Sequence, residues 1–238
     1  MKDEFYLKLF PELAPETVTI VCEKCGAESL MERWPVIPRQ ILEEVTEAVE
    51  EGELFEFCCP ECGCVELRMY WCLFDDFEAN QLVLMVPEQE REEGVACLER
   101  KVGGERQCTG RLVFHPGQMS EKVRLMRDGL NDMAIELVKY FIQDTMMGED
   151  PLYATLKLWY EGVTDQGDIV LSAYGWEDGE VLVERRLYDS YLLDVTFAEE
   201  SLVEDFVVDQ QWAHRFLSRP QSAESLLFGE GVWATDDE

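Results

Sequence analysis

Two short cysteine turns are the residues in this chain best suited to chemistry: Cys22-Glu23-Lys24-Cys25-Gly26 and Cys59-Pro60-Glu61-Cys62-Gly63. A pair of residues between the cysteines of a tight turn lets both sulfurs point at one ion, and the glycine that follows allows the backbone conformation the turn needs. Backbone N–H groups inside each turn can hydrogen-bond the sulfurs and offset part of the thiolate charge. Facing each other, two such turns place four thiolates around zinc at about 2.3 Å, the closed tetrahedron of a structural site. A closed site leaves no open position for water or substrate, which argues against a catalytic metal. Cys22, Cys25, Cys59 and Cys62 are therefore the expected ligands of one structural Zn2+. The competing reading is a redox Cys-x-x-Cys pair, which needs a single motif beside a thioredoxin-like βαβ pattern. That pattern is missing, and a redox pair leaves the second motif unexplained.

The other five of the nine cysteines say less. Cys58 adjoins Cys59, and strand alternation turns it to the opposite side. Cys64 lies just beyond Cys62 and competes as a ligand only in a poorer register. Cys72 sits in an apolar run and reads as a small core residue. Cys97 and Cys108 flank the Gly103-Gly104 turn, where they can lie close together as free thiols. An odd cysteine count does not suit a secreted disulfide framework. The start, Met1 to Pro11, lacks the basic-then-apolar layout of a signal peptide. Both point to a reducing compartment, and the expected location is cytoplasmic. No stretch approaches the roughly 20 apolar residues that a membrane-spanning helix needs.

Little else in the chain has the form of a catalytic group. His115, before Pro116 in a loop, and His214, near Trp212 and Phe216 in a helical stretch, are expected to be structural or surface residues. There is no phosphate-cradling loop, dinucleotide fingerprint, nucleophile elbow or His-Glu-x-x-His. Asp and Glu are so abundant that no carboxylate pair is informative, and Asp75-Asp76 reads as turn chemistry. Twenty Lys and Arg against 51 Asp and Glu give a net charge of −31. A phosphate backbone is drawn to clustered cations, so the balance argues against nucleic acid. It suits high solubility, or a partner with a basic face.

The elements that must position the cysteines follow from periodicity. Val18 to Val21 is a β-branched strand running into Cys22, and Pro35 and Pro38 mark a loop. Ile41, Leu42, Val45, Ala48 and Val49 recur at helical spacing, so a helix over Gln40–Glu51, ended by Gly52, fills the 33-residue gap between Cys25 and Cys59. Leu54, Phe55 and Phe57 lead as a strand into Cys59. Val65 to Phe74 and Gln81 to Val86 form a hairpin around a turn at Asp75 to Asn80. Glu88 to Glu93 reads as solvated charge, and Val95 to Gly117 fits no single element. Leu130, Met133, Ala134, Leu137, Val138, Phe141, Ile142 and Met146 make a long helix, capped by Asp128 or Asn131 and stopped by Gly148 and Pro151. Alternation then predicts strands over Leu152–Tyr160, Asp168–Gly175, Glu180–Leu187 (after a Glu177-Asp178-Gly179 turn) and Tyr191–Phe197. A closing helix, with Ser201 and Glu204 at capping-box spacing, runs to about Leu217. The expected class is α+β, divided as 1–118, 119–220 and an acidic tail 221–238, with the helix over 130–146, strands over 152–197 and the closing helix over 201–217.

Two cysteine knuckles separated by a Pro-containing helical segment, the second reading Cys-Pro-x-Cys-Gly, resemble the CpXC-domain proteins of bacteria and archaea. The resemblance extends through Val65–Val86 and through Lys122–Phe141 with its Asp128-Gly129-Leu130-Asn131-Asp132 helix entry, covering roughly Thr17 to Met146. It implies a zinc-ribbon-like domain of uncharacterised role. Glu23-Lys24 stands where the first knuckle of the family carries a proline, a departure that leaves the ligands untouched. The functional expectation is a non-catalytic zinc protein that binds a protein partner with a basic surface. An enzyme with its site in the C-terminal module is the alternative from another class. A nucleic-acid-binding ribbon, or a nucleic-acid mimic, is disfavoured by the charge.

Overall fold

Alternating apolar residues on three strands decide the centre of the molecule. The computed structural model describes residues 13–104, 107–149, 156–174, 179–198, 202 and 205–219. In chain order its elements are β1 (Glu16–Val21), β2 (Glu28–Arg33), β3 (Val36–Pro38), α1 (Glu43–Glu51), β4 (Glu56–Cys58), β5 (Val65–Leu67), β6 (Cys72–Asp76), β7 (Gln81–Met85), α2 (Arg91–Val102), β8 (Thr109–Val113), α3 (Pro116–Arg127), α4 (Asp132–Glu149), β9 (Lys157–Val163), β10 (Ile169–Tyr174), β11 (Glu180–Val183), α5 (Arg185–Ala198) and α6 (Gln210–Leu217). The class is α+β.

Strands β3, β6, β7 and β8 form a mixed sheet in that order, parallel at β3–β6 and β7–β8 and antiparallel at β6–β7. Successive strand residues face opposite sides. Cys72, Phe74, Val83, Met85 and Val113 accordingly meet α1 and α3 through Val45, Val49, Met119 and Val123. Leu73, Leu82, Leu84 and Leu112 meet Leu98 of α2 and Phe206 on the other side. Helix α2 lies very close to the sheet: a Cβ on Gly94 would stand 2.8 Å from Leu112 Cδ1. The C-terminal half repeats the scheme with an antiparallel meander, β9–β10–β11, packed on α3, α4 and α5 around Tyr160, Ile169, Leu171 and Tyr188. Val195, Trp212 and Ala213 then close α5 and α6 on Met133 and Leu137 of α4.

Several sequence expectations need correction. Val36–Pro38 is a short strand rather than a loop, because pairing beside Leu73–Asp75 needs no N–H from Pro38 at its end. Val65–Phe74 is two strands in two sheets, β5 pairing with β4 and β6 with β7. The charged Glu88–Glu93 stretch opens helix α2 after a 3-10 turn, with its charges outward and Gly94 and Leu98 inward. His115-Pro116-Gly117 starts helix α3: His115 Nδ1 accepts from Gly117 N at 3.0 Å, and Pro116 takes the first-turn position where its missing N–H costs nothing. Tyr191–Phe197 is helix, not strand. Tyr188, Tyr191, Leu192 and Val195 supply the apolar face of α5, while Leu193 and Phe197, which alternation would have buried, are 58% and 83% exposed. The strands predicted over 152–197 thus end at Val183.

Among the described residues, the closing helix expected over 201–217 is helix only over Gln210–Leu217, with Asp209 as its cap and 205–208 outside it, whereas other expectations hold. Gly52 takes a left-handed conformation at the end of α1, and Asn131, not Asp128, caps α4 by accepting from Met133 N and Ala134 N. The expected residues Leu152 and Ala154, Pro151, the Glu177-Asp178 turn, the Ser201–Glu204 box and the tail 221–238 lie outside the described residues.

Where charge enters the core it is matched. Arg111 on β8 and Lys122 on α3 both bind Asp132 at the start of α4, at 2.7 Å each. Lys139 sits between Glu121 and Glu136 at 2.7 Å from each, and Glu121 also accepts the Tyr160 N–H at 2.6 Å. Despite its burial, the two cations hold Asp132 far below the usual carboxylate range. These pairs lock α3 against α4, since removing one partner strands the other's charge in a dry interior.

Candidate metal centre

Each cysteine turn closes a two-stranded hairpin in the same way. In the first, between β1 and β2, Cys22 N donates to Ala27 O at 3.0 Å and Gly26 N to Cys22 O at 2.9 Å. In the second, between β4 and β5, Cys59 N donates to Cys64 O at 2.8 Å and Gly63 N to Cys59 O at 2.9 Å. Gly26 and Gly63 have φ of 75° and 66°, the left-handed region that a side chain would disfavour. The glycine after each motif is thus a geometric requirement of the turn.

The two turns face each other. Cys22 Sγ lies 3.7 Å from Cys62 Sγ and Cys25 Sγ lies 3.6 Å from Cys59 Sγ. All four sulfurs fall within 4.8 Å of one another. A disulfide needs about 2.05 Å, so these are free thiols at non-bonded separation. Four sulfurs at about 2.3 Å from a central ion lie about 3.8 Å apart along each tetrahedral edge. The separations and the all-sulfur donor set both suit a metal ion.

Each turn contributes one buried and one outer sulfur. Cys22 and Cys59 are buried against Phe57, whereas Cys25 is exposed and Cys62 half-buried. Backbone N–H groups of Cys25 and Lys24 turn to the Cys22 sulfur, and those of Cys62 and Glu61 to the Cys59 sulfur. Without an ion these groups compete with crowding. The Cys62 and Glu61 N–H groups, with the thiols of Cys25 and Cys22 donating, outweigh burial and bring Cys59 down to about 7. At Cys22 the Cys25 N–H also pulls downward, yet burial and the neighbouring thiols Cys25 and Cys59 push the group up to about 12. Cys59 ionises readily and Cys22 and Cys62 then resist, because adjacent thiolates repel. A dication at the centre relieves that repulsion.

Two residues that sequence reasoning missed brace the centre. Glu66 on β5 accepts from Glu23 N at 2.9 Å and from Cys22 Sγ at 3.4 Å, crossing from the second hairpin to the first. Arg68 pairs with Glu66, donates to Val21 O at 3.1 Å and stacks over Phe57 at 5.5 Å. No sequence signal marked them: alternation would turn apolar Val65 and Leu67 inward, whereas in the structure these two are exposed and Glu66 is the inward residue of β5.

The remaining cysteines stay outside the cluster. Cys58 is exposed opposite buried Cys59, as alternation requires, and Cys72 is buried in the sheet, with its thiol pushed up by desolvation. Cys64 is half-buried and its sulfur points to Val65 O at 3.9 Å. Asp76 combines turn chemistry with anchoring: it accepts from Glu78 N and Ala79 N and from Arg39 and Gln40, the last two at 2.6 Å. His214 lies beside Tyr140, with ring centroids 5.9 Å apart.

Comparison with known proteins agrees with this geometry. No curated protein and no solved structure matches the chain. The profile of the family described as CpXC protein matches residues 20–139, about half of the 238 residues, and spans all four clustered cysteines. The chain belongs to the CpXC family.

Proposed function

We propose that Cys22, Cys25, Cys59 and Cys62 hold one structural zinc ion that clamps the two hairpins together. The observation that carries this reading is the close approach of four sulfurs from turns 33 residues apart, at separations near a zinc–thiolate tetrahedron's edge. An all-thiolate set favours zinc over harder cations. Four protein ligands saturate the ion, so its role is to hold the fold. The hairpins form a zinc-ribbon-like unit in this reading. Elemental analysis of chain purified without added metal is expected to find about one zinc per molecule. A metal-free chain, or stoichiometric iron instead, would overturn the assignment.

The clamped unit serves a non-catalytic protein that binds a basic protein partner in the cytoplasm. Support comes from the net charge of −31, from nine thiols in the free state and from Glu23 and Glu61 exposed on the knuckles. Like charge disfavours nucleic acid at the same face. Among the described residues no helix is long and apolar enough to cross a membrane. Cross-linking of the zinc-loaded chain in extract of its host, at increasing salt, is the measurement. A reproducible basic protein released as salt rises supports the reading, and captured proteins that are acidic or salt-insensitive overturn it.

A further inference from the structure

A cavity of about 310 Å³ lies between the start of β8, the C-terminal half of α3, the first residues of α4 and the end of α5. Its volume is at the lower end of small-ligand sites. The charged side chains on its walls are Arg111, Lys122 and Asp132, two cations to one carboxylate. That is the reverse of a chain with 51 acidic and 20 basic residues. Behind the wall Lys139 faces two carboxylates, so the buried array as a whole is balanced and the positive surplus is local to the cavity. Glu121 is taken by Lys139 and by the Tyr160 N–H, and Glu136 by Lys139. Burial further pushes Glu136 towards its neutral form.

The cations also keep donors in reserve. Lys122 Nζ has three N–H bonds and spends one on Asp132 at 2.7 Å and one on Val208 O at 3.3 Å. Arg111 gives Nε and Nη2 to Asp132 and Nη1 to the carbonyls of Gly110 and Asp205. Both residues are more than nine-tenths buried, where a donor left without an acceptor is costly. The rest of the wall includes Leu125, Met126, Leu130 and Met133, which suit a short hydrocarbon.

We propose that this cavity binds a small aliphatic carboxylate, its carboxylate oxygens on Lys122 and Arg111 and its tail among the apolar residues of α3 and α4. The site is separate from the cysteine cluster and does not depend on the metal. It is tested on full-length, zinc-loaded chain labelled with 13C at the methionine methyls, titrated in parallel with hexanoate, hexanol and hexylamine. Hexanoate is expected to give saturable shifts at Met126 and Met133, and the other two to bind at least about tenfold more weakly, since a charge-assisted hydrogen bond is roughly twice as strong as a neutral one. Lys122→Met, which leaves Arg111 and Asp132 as a neutral pair, should weaken hexanoate by at least about tenfold on the same grounds. Thr109→Trp, at an exposed wall position, should block entry while leaving the charges intact. It also carries the test if Lys122→Met does not fold. Three results would each overturn the proposal: no shift at either methionine, equal binding of hexanol, or hexanoate binding unaffected by Thr109→Trp.

Discussion

The paired hairpins and the body of the molecule are held together by different means. Inside the hairpins, the buried apolar cluster is Cys22, Phe57 and Cys59, with Ile20, Ala27 and Met31 half-buried around it. The body has four larger clusters and a buried ionic array linking β8, α3 and α4. A few side chains bury too little apolar surface to offset the entropy of ordering two strand pairs. The body exceeds that threshold on both faces of its sheet. The hairpins therefore need a cross-link at the cysteines and the body does not, so one molecule should show two stabilities.

Removing the proposed zinc ion tests this contrast most severely. Binding free energies of structural zinc in small domains are of order 10–16 kcal/mol, far more than the hairpins can replace. A strong chelator, or Cys59→Ser, should abolish hydrogen-exchange protection at β1, β2, β4 and β5 while that at β7 and α4 persists. Equal loss in both regions would break the comparison. Metal retention should also fall as pH is lowered, because protons compete for the thiolates. The backbone N–H groups of Cys62 and Glu61 hold Cys59 down to about 7, so it ionises well before Cys22 as pH rises.

The complementary test lies in the body. Asp132→Asn leaves Arg111 and Lys122 without their shared carboxylate, and breaking a buried pair in this way costs about 3–5 kcal/mol. Urea unfolding should show this loss at neutral pH with metal content unchanged. The folded-state value of Asp132 is depressed, so its contribution is present above the unfolded value near 3.9 and fades as pH falls through the folded one. The variant and the parent should therefore converge in acid. A smaller effect is expected at α6, where Asp209 accepts from Trp212 N at 2.8 Å. Asp209→Ala should cost about 1 kcal/mol, read from the unfolding midpoint. The smallest concerns Phe197. At 83% exposed on α5, its replacement by Ser should change stability by no more than about 0.5 kcal/mol. A loss of several kcal/mol would return that segment to a buried strand.

Legibility followed the range of the interactions. The cysteine pairs were readable because spacing within a tight turn is local, and the glycine after each pair meets a local need for positive φ. The long helix α4 and strands β1, β7, β9 and β10 were readable from period alone. Helix α3 was hidden because Pro116-Gly117 resembles a loop until His115 is seen to cap it. Helix α5 was hidden because Tyr191, Leu193, Val195 and Phe197 alternate as well as they spiral, and only packing against α4 selects the face with Tyr188 and Val195. Glu66 and Arg68 were invisible as a brace because their partners, Glu23 and Val21, lie more than 40 residues earlier in the chain.

By itself, then, the sequence determined the two cysteine turns, the α+β class, the family and the strongly acidic character of the chain. Tertiary structure alone decided that sulfurs from separate hairpins meet at 3.6 and 3.7 Å, that Glu66 bridges those hairpins and that two buried cations share Asp132 beside a cavity. The physical reason is that turn geometry and periodicity act over a few residues, whereas burial and charge pairing depend on which distant segments the packed chain brings together.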